Sequence, residues 1–170
     1  GALRTTRPTL IIFDDLQSPD VIVSPTLRER AWDWFTRVVL ELGEPNTNFV
    51  GSDTAIHRDA VSYRLATRTP GWNARIYKAL IEPPEAQDLW DQWESILHGH
   101  VSGSVSAARD FYLTNQTAMD AGAKVLWPER FPLYDLMLKL VTMGPSAFAS
   151  EEQNNPTNPE LNEWPEEYFD

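Results

Sequence analysis

Two adjacent carboxylates, Asp14 and Asp15, close the short apolar run Thr9-Leu10-Ile11-Ile12-Phe13, and their position suits them to chemistry. A run of that length, rich in β-branched residues, reads as a strand buried on both faces, the parallel-sheet type. Ligands of open α/β sheets bind at the carboxyl end of such strands, where helix N-termini and loops converge. An Asp there can hold a hydrated Mg²⁺ beside a nucleotide's phosphates, because the hard cation takes oxygen ligands and keeps its waters. A second carboxylate next door can orient or deprotonate the attacking water. The dipeptide alone also fits two acidic residues leaving a strand for a solvated loop, which is the commoner situation.

A second constellation is the turn Gly51-Ser52-Asp53-Thr54-Ala55-Ile56-His57, which follows the next strand pattern and so belongs on the same sheet edge. Small hydroxyl residues there can sense a terminal phosphate, or the water beside it, by hydrogen bonding. The plainer alternative is a polar turn that caps the next helix. His57 is a base, a ligand or a polar turn residue, and on its own the last is favoured. His98 and His100 flank Gly99 with no partner at ligand spacing, which argues against zinc. Trp32, Trp34, Trp90 and Trp93 fall in helical patterns and read as core, while Trp127-Pro128-Glu129-Arg130 reads as a rigid turn docking one helix on another.

The elements that must position these groups follow from punctuation and period. Ser24-Pro25 supplies an N-cap and an N1 proline. Leu27, Ala31, Trp34, Phe35, Val38, Val39 and Leu42 then form one helical stripe that Gly43 ends. Asn48-Phe49-Val50-Gly51 reads as a second strand, 59–66 as a helix, and ARIYKALI (74–81) as a third strand. This β-α-β-α-β order predicts a doubly wound α/β sheet. After Pro83-Pro84, helices are expected over 85–97, 105–121, 132–141 and 146–153, with no further strand and an extended, Pro-rich tail beyond Gln153.

The bulk composition narrows the choice. The chain has 170 residues, 42% hydrophobic and 11% aromatic, enough to bury a core. Absence of Cys excludes disulfides, thiolate metal sites and a Cys nucleophile. No apolar run approaches the roughly 20 residues of a membrane helix. A net charge of −11 argues against a stand-alone protein that grips nucleic acid by its phosphates. That charge is uneven, +1 over residues 1–80 and −12 over 81–170, so the halves differ in kind. No G-x-x-x-x-G-K-[ST] loop, G-x-S-x-G elbow or H-E-x-x-H helix occurs. The chain opens Gly1-Ala2 without Met, which predicts a middle segment or a processed end.

Read whole, the sequence resembles the large terminase subunit of tailed bacteriophages, the motor that packages DNA into proheads. The resemblance rests on five blocks in order: RPTLIIFDDLQ (7–17), VGSDTAIHRDAVSYRL (50–65), GWNARIYKALIE (71–82), AKVLWPERFPLYDLM (123–137) and GPSAFASEEQNNPTNPE (144–160). That family carries an N-terminal P-loop ATPase and a C-terminal nuclease of RNase H-like fold. The resemblance implies a partial P-loop NTPase-like sheet over 1–84, a helical lid-like subdomain over 85–153 and a linker toward a nuclease over 154–170. It implies that Asp14 is the Mg²⁺-associated Asp of Walker B and that Asp15 stands where most relatives carry the Glu that activates water. Gly51, Ser52 and Thr54 would form the coupling segment, with Ser52 keeping the hydroxyl of the usual Gly-Thr.

The intact motor would use ATP and Mg²⁺ in the host bacterial cytoplasm. Its partners would be double-stranded DNA, the portal, the small terminase subunit and other large-subunit copies, with no membrane. The P-loop and the acidic nuclease cluster are not in this sequence. The chain alone is therefore expected to bind neither ATP nor Mg²⁺ tightly and to be inactive, and its open strand edges could pair with another copy. Two other classes stay open. One is a non-enzymatic module that binds packaging partners. The other is a metal-dependent nuclease seated on Asp14 and Asp15.

Overall fold

The computed structural model describes residues 7–99 and 104–156. It has mixed α/β character and divides into two compact units. The first comprises residues 7–76 and 149–156 of those described, and the second is Tyr77–Phe148. The division falls before Pro83-Pro84, and the chain returns to the first unit within its last helix. The tail expected beyond Gln153 lies, from residue 157 on, outside the described residues.

In the first unit, β1 (Leu10–Asp14) pairs in parallel with β2 (Asn48–Ser52) in the register Leu10↔Asn48 through Asp14↔Ser52. Between them run α1 (Pro19–Val23) and α2 (Pro25–Trp34), each with Pro in its first turn. Ser24 caps α2, its hydroxyl accepting the Leu27 amide at 3.5 Å. The expected long helix does not continue as α-helix. After Trp34 it widens into a π-turn, Phe35–Val39, and ends in a 3₁₀ turn, Leu40–Leu42. A wider turn shifts which side chains face inward. Phe35 and Val39 are buried, whereas Trp34, Val38 and Leu42 are exposed, so the single apolar stripe splits.

Phe35, Val39, Val61 and Leu65 form this unit's core, the latter two from α3 (Val61–Thr67), with Ile11, Phe13, Phe49 and Trp72 packed against them. The Phe13 ring meets Phe35 edge-on at 5.4 Å and Trp72 at 6.1 Å. Period-two alternation sends Ile11 and Phe13 inward and Leu10 and Ile12 outward. On the outer face Leu10, Ile12 and Val50 are exposed, Ile12 to 70%, with no described residue of this unit covering them. The expected burial of β1 on both faces is therefore corrected to one.

The doubly wound sheet is likewise corrected. Among the described residues the parallel sheet has two strands, and residues 74–79 are not strand. Only β3 (Leu80–Glu82) forms there, and it pairs antiparallel with β4 (Lys124–Val125) in the second unit. A short apolar run adopts strand geometry where a partner offers backbone groups, and that partner was a segment read from sequence as strand-free.

The second unit is mainly helical: α4 (Gln87–Leu97), α5 (Ser104–Met119) and α6 (Leu133–Met143), followed by α7 (Pro145–Glu151), within which the unit ends. Trp90, Trp93, Ala108, Tyr112, Met119, Leu133 and Met137 make one buried cluster. Trp90 and Trp93 meet edge-on at 5.2 Å, and the Trp90 indole donates to the Met119 carbonyl at 2.9 Å. Trp127 is exposed rather than docking helices, and its carbonyl accepts the Arg130 and Phe131 amides.

Candidate functional site

The candidate site lies at the carboxyl ends of β1 and β2. Asp14 is the register partner of Ser52, and both lie on the exposed side of the strand pair. One residue on, Asp15 leaves the strand with φ +44, a left-handed conformation that Asp tolerates better than most residues. Its amide still donates to the Ser52 carbonyl at 3.1 Å. The next amide, that of Leu16, donates to the Asp53 carboxylate at 3.3 Å. The two sequence motifs thus meet backbone to backbone.

Gly51 has a packing reason. It faces Phe13 across the strand pair, and a Cβ there would fall 1.8 Å from the Phe13 ring. Only a residue without a side chain leaves room for that aromatic ring. Thr54 is half-buried, its carbonyl accepting the Ile56 amide at 2.9 Å. His57 is buried, and its Nδ1 accepts the Asp59 amide at 2.9 Å. That geometry makes His57 part of the turn's own bonding.

Two residues that sequence reasoning passed over belong to the site. Asp53 is half-buried, and burial raises its carboxyl above the ordinary value. The Leu16 hydrogen bond opposes that shift, and the negative charge of Asp15 adds to it. Gln17 is buried, and its Oε1 accepts the Val61 amide at 2.5 Å across 44 residues of chain. Its Nε2 has no hydrogen-bond partner among the described residues. An unspent buried donor of this kind calls for a role or a water. Both lay inside quoted motifs, but their significance depends on partners far away in sequence.

Around the site runs an arginine-carboxylate network. Buried Arg28 donates to the Ile22 carbonyl at 2.6 Å, and its Nε lies 4.0 Å from Asp59. Asp59 also pairs with Arg68 at 3.2 Å and with Arg64 at 3.8 Å. Arg64 in turn pairs with Glu29 and lies over the Trp32 ring at 5.4 Å. On the far side, the segment after α7 returns to the turn. The Asn154 side-chain oxygen accepts the Ala55 amide at 2.8 Å, and the Pro156 carbonyl accepts from Arg58 at 3.2 Å.

Chemically, the edge offers two exposed carboxylates, Asp14 and Asp15, beside a third, Asp53, whose burial raises it above the ordinary value. Among the described residues no group of three His, Asp or Glu side chains could hold a metal ion. The donor set therefore does not make an all-protein cage. A hydrated Mg²⁺, which keeps most of its waters, would need only one such carboxylate. His98 pairs with Glu94 at 3.5 Å, and His100 lies outside the described residues. Among the described helices none is long and apolar enough to cross a membrane. In comparisons with known proteins, no family model matches the chain, and neither a curated protein nor a solved structure matches it.

Proposed function

We propose that this chain is a segment of a large terminase subunit, the ATP-driven motor that packages viral DNA into proheads. The observation that supports the reading best is the register Asp14↔Ser52 together with the Asp15 amide on the Ser52 carbonyl at 3.1 Å. A Walker B-like edge and a coupling turn need that adjacency, since a change at the reacting phosphate has to reach a backbone that can move. In this reading Asp14 holds hydrated Mg²⁺, Asp15 activates water, and Gly51, Ser52 and Thr54 carry the response. The P-loop, ATP, double-stranded DNA, portal and small-subunit contacts belong to the intact motor in the host bacterial cytoplasm.

Phosphate release by the purified chain with ATP and Mg²⁺ should stay at baseline. Turnover that Asp15→Asn abolishes would overturn the prediction of an inactive segment. The coding sequence upstream of Gly1 should specify a G-x-x-x-x-G-K-[ST] loop roughly 100–200 residues away, about one domain's length. Its absence would leave a non-enzymatic interaction module as the better reading. The uncovered face of Leu10, Ile12 and Val50 favours that second reading, because a parallel pair open on one side suits a partner surface. A nuclease on Asp14 and Asp15 would instead show itself as Mn²⁺-dependent cleavage of plasmid by the chain alone.

A further inference from the structure

We infer that Asp53 is a positioning residue, whose carboxylate holds the left-handed turn that presents Asp15 by accepting the Leu16 amide. This deepens the proposed function, and it rests on that reading only for what Asp15 does once presented.

The inference begins from a backbone anomaly. Asp15 is a non-glycine residue at φ +44, directly after a regular strand. Such conformations persist where the surroundings over-determine them. The structure shows what does so. Four consecutive residues are each tied to the facing chain. Asp14 sits in register with Ser52, and the Asp15 amide donates to the Ser52 carbonyl at 3.1 Å. The Leu16 amide donates to Asp53 at 3.3 Å, and Gln17 accepts the Val61 amide at 2.5 Å.

Of these ties, only the one to Asp53 grips the backbone just after the turn through a side chain. A ladder bond would need Leu16 to remain in strand geometry. A carboxylate reaching back from Asp53 lets the ladder end and still satisfies the next amide. Asp53 can do this because it follows β2 by one residue, as Asp15 follows β1. Its partial burial and the nearby charge of Asp15 both disfavour ionisation, so the group is kept there against its own solvation. A residue serving only solubility would gain nothing from that arrangement.

The role makes a specific demand on substitutions. Asp53→Asn keeps an oxygen for the Leu16 amide, whereas Asp53→Ala removes it. Asp15→Gly accepts a positive φ without strain, so it should make the clasp dispensable.

The test is residue-resolved amide exchange on the purified chain, with denaturant melts of the same variants. In Asp53→Ala the Leu16 amide should exchange about tenfold faster or more, while the Phe35 and Val61 amides keep their protection. Asp53→Asn should restore Leu16 to near the wild-type rate. The melt cost of Asp53→Ala should shrink in the Asp15→Gly background, the opposite sign to that expected from loss of the Asp15–Asp53 repulsion alone. Where Asp53→Ala alone loses the fold, a cooperative melt regained in the Asp15→Gly, Asp53→Ala double variant supports the clasp, and a double variant that also fails to fold overturns it. Unchanged Leu16 exchange in a folded Asp53→Ala, or the same cost with Asp15 and with Gly, would overturn the inference. An upstream sequence without a P-loop would remove the water-activating role of Asp15 and leave these measurements to judge the clasp.

Discussion

Tyr77–Phe148 closes around interlocked aromatic rings, whereas the first unit surrounds a smaller apolar cluster with polar groups it has had to accommodate. Among the described residues, the buried polar side chains Gln17, Arg28 and His57 all lie in the first unit. The left-handed non-glycine residues Asp15 and Asn154 are there as well, and so is the uncovered face of β1 and β2. Sequences that fold consistently at every level break their own rules mainly where function demands it. The second unit departs from them at the Trp93 indole N–H, which has no hydrogen-bond partner among the described residues, and at exposed Trp127, whereas the first gathers its departures around and beside its strand pair. The contrast itself therefore points to the first unit as the one that does chemistry or meets a partner.

The sharpest way to break this comparison is to remove an anchor of the second unit. Trp93 is 1% exposed, and Trp93→Ala should cost about 3–5 kcal/mol in denaturant melts. A cost under about 1 kcal/mol would mean that the helical unit is not the rigid half.

A smaller effect separates packing from polar bonding within the same unit. The Tyr112 hydroxyl donates to Asp120 at 3.0 Å, and burial, with that bond second, pushes the phenol up to about 12. The folded chain then keeps a proton that the unfolded chain, at the ordinary value of 10.0, gives up first. Stability from this group is full below pH 10 and declines as pH rises from about 10 to about 12. Tyr112→Phe should cost about 1 kcal/mol at neutral pH and remove that alkaline slope. An unaltered slope in the variant would assign it to other groups.

The smallest expected effect sharpens the contrast from the other side. Ile12 is 70% exposed, so Ile12→Thr should change the stability of the purified chain by no more than about 0.5 kcal/mol. A loss above about 2 kcal/mol, with a concentration-dependent midpoint, would show that a second copy already covers this face.

Much of the local structure could be read from the sequence because its signals are local. The apolar run ending at Asp14-Asp15 is a strand, Ser24-Pro25 starts a helix, and the second half is chiefly helical, with helix ends displaced by no more than two residues from expectation. The adjacency of Asp14-Asp15 and Ser52 also followed from placing two strands in parallel. What escaped was set at a distance. ARIYKALI has a strand's composition, but its partner is Lys124–Val125 rather than β1 or β2. Ser18-Pro19 carries the same Ser-Pro pattern as Ser24-Pro25 and opens α1, although the Ser18 side chain makes no capping bond. Gln17 and Asp53 look like ordinary polar loop residues until Val61 and Leu16 are seen to donate to them. Hydrogen bonds between residues tens of positions apart leave no periodic trace.

The return of residues 154–156 to the turn after β2 has a consequence for how the protein is made. The bonds from Ala55 to Asn154 and from Arg58 to Pro156 join positions 99 and 98 residues apart. A ribosome delivers the N-terminal end first, so the turn waits while the whole of Tyr77–Phe148 is synthesised. The helical unit is continuous in sequence and can fold as it emerges. The first unit is interrupted, and among the described residues its latest fastening arrives with Pro156. A chain stopped before Asn154 would hold every residue of the candidate site and lack the pins on its coupling turn.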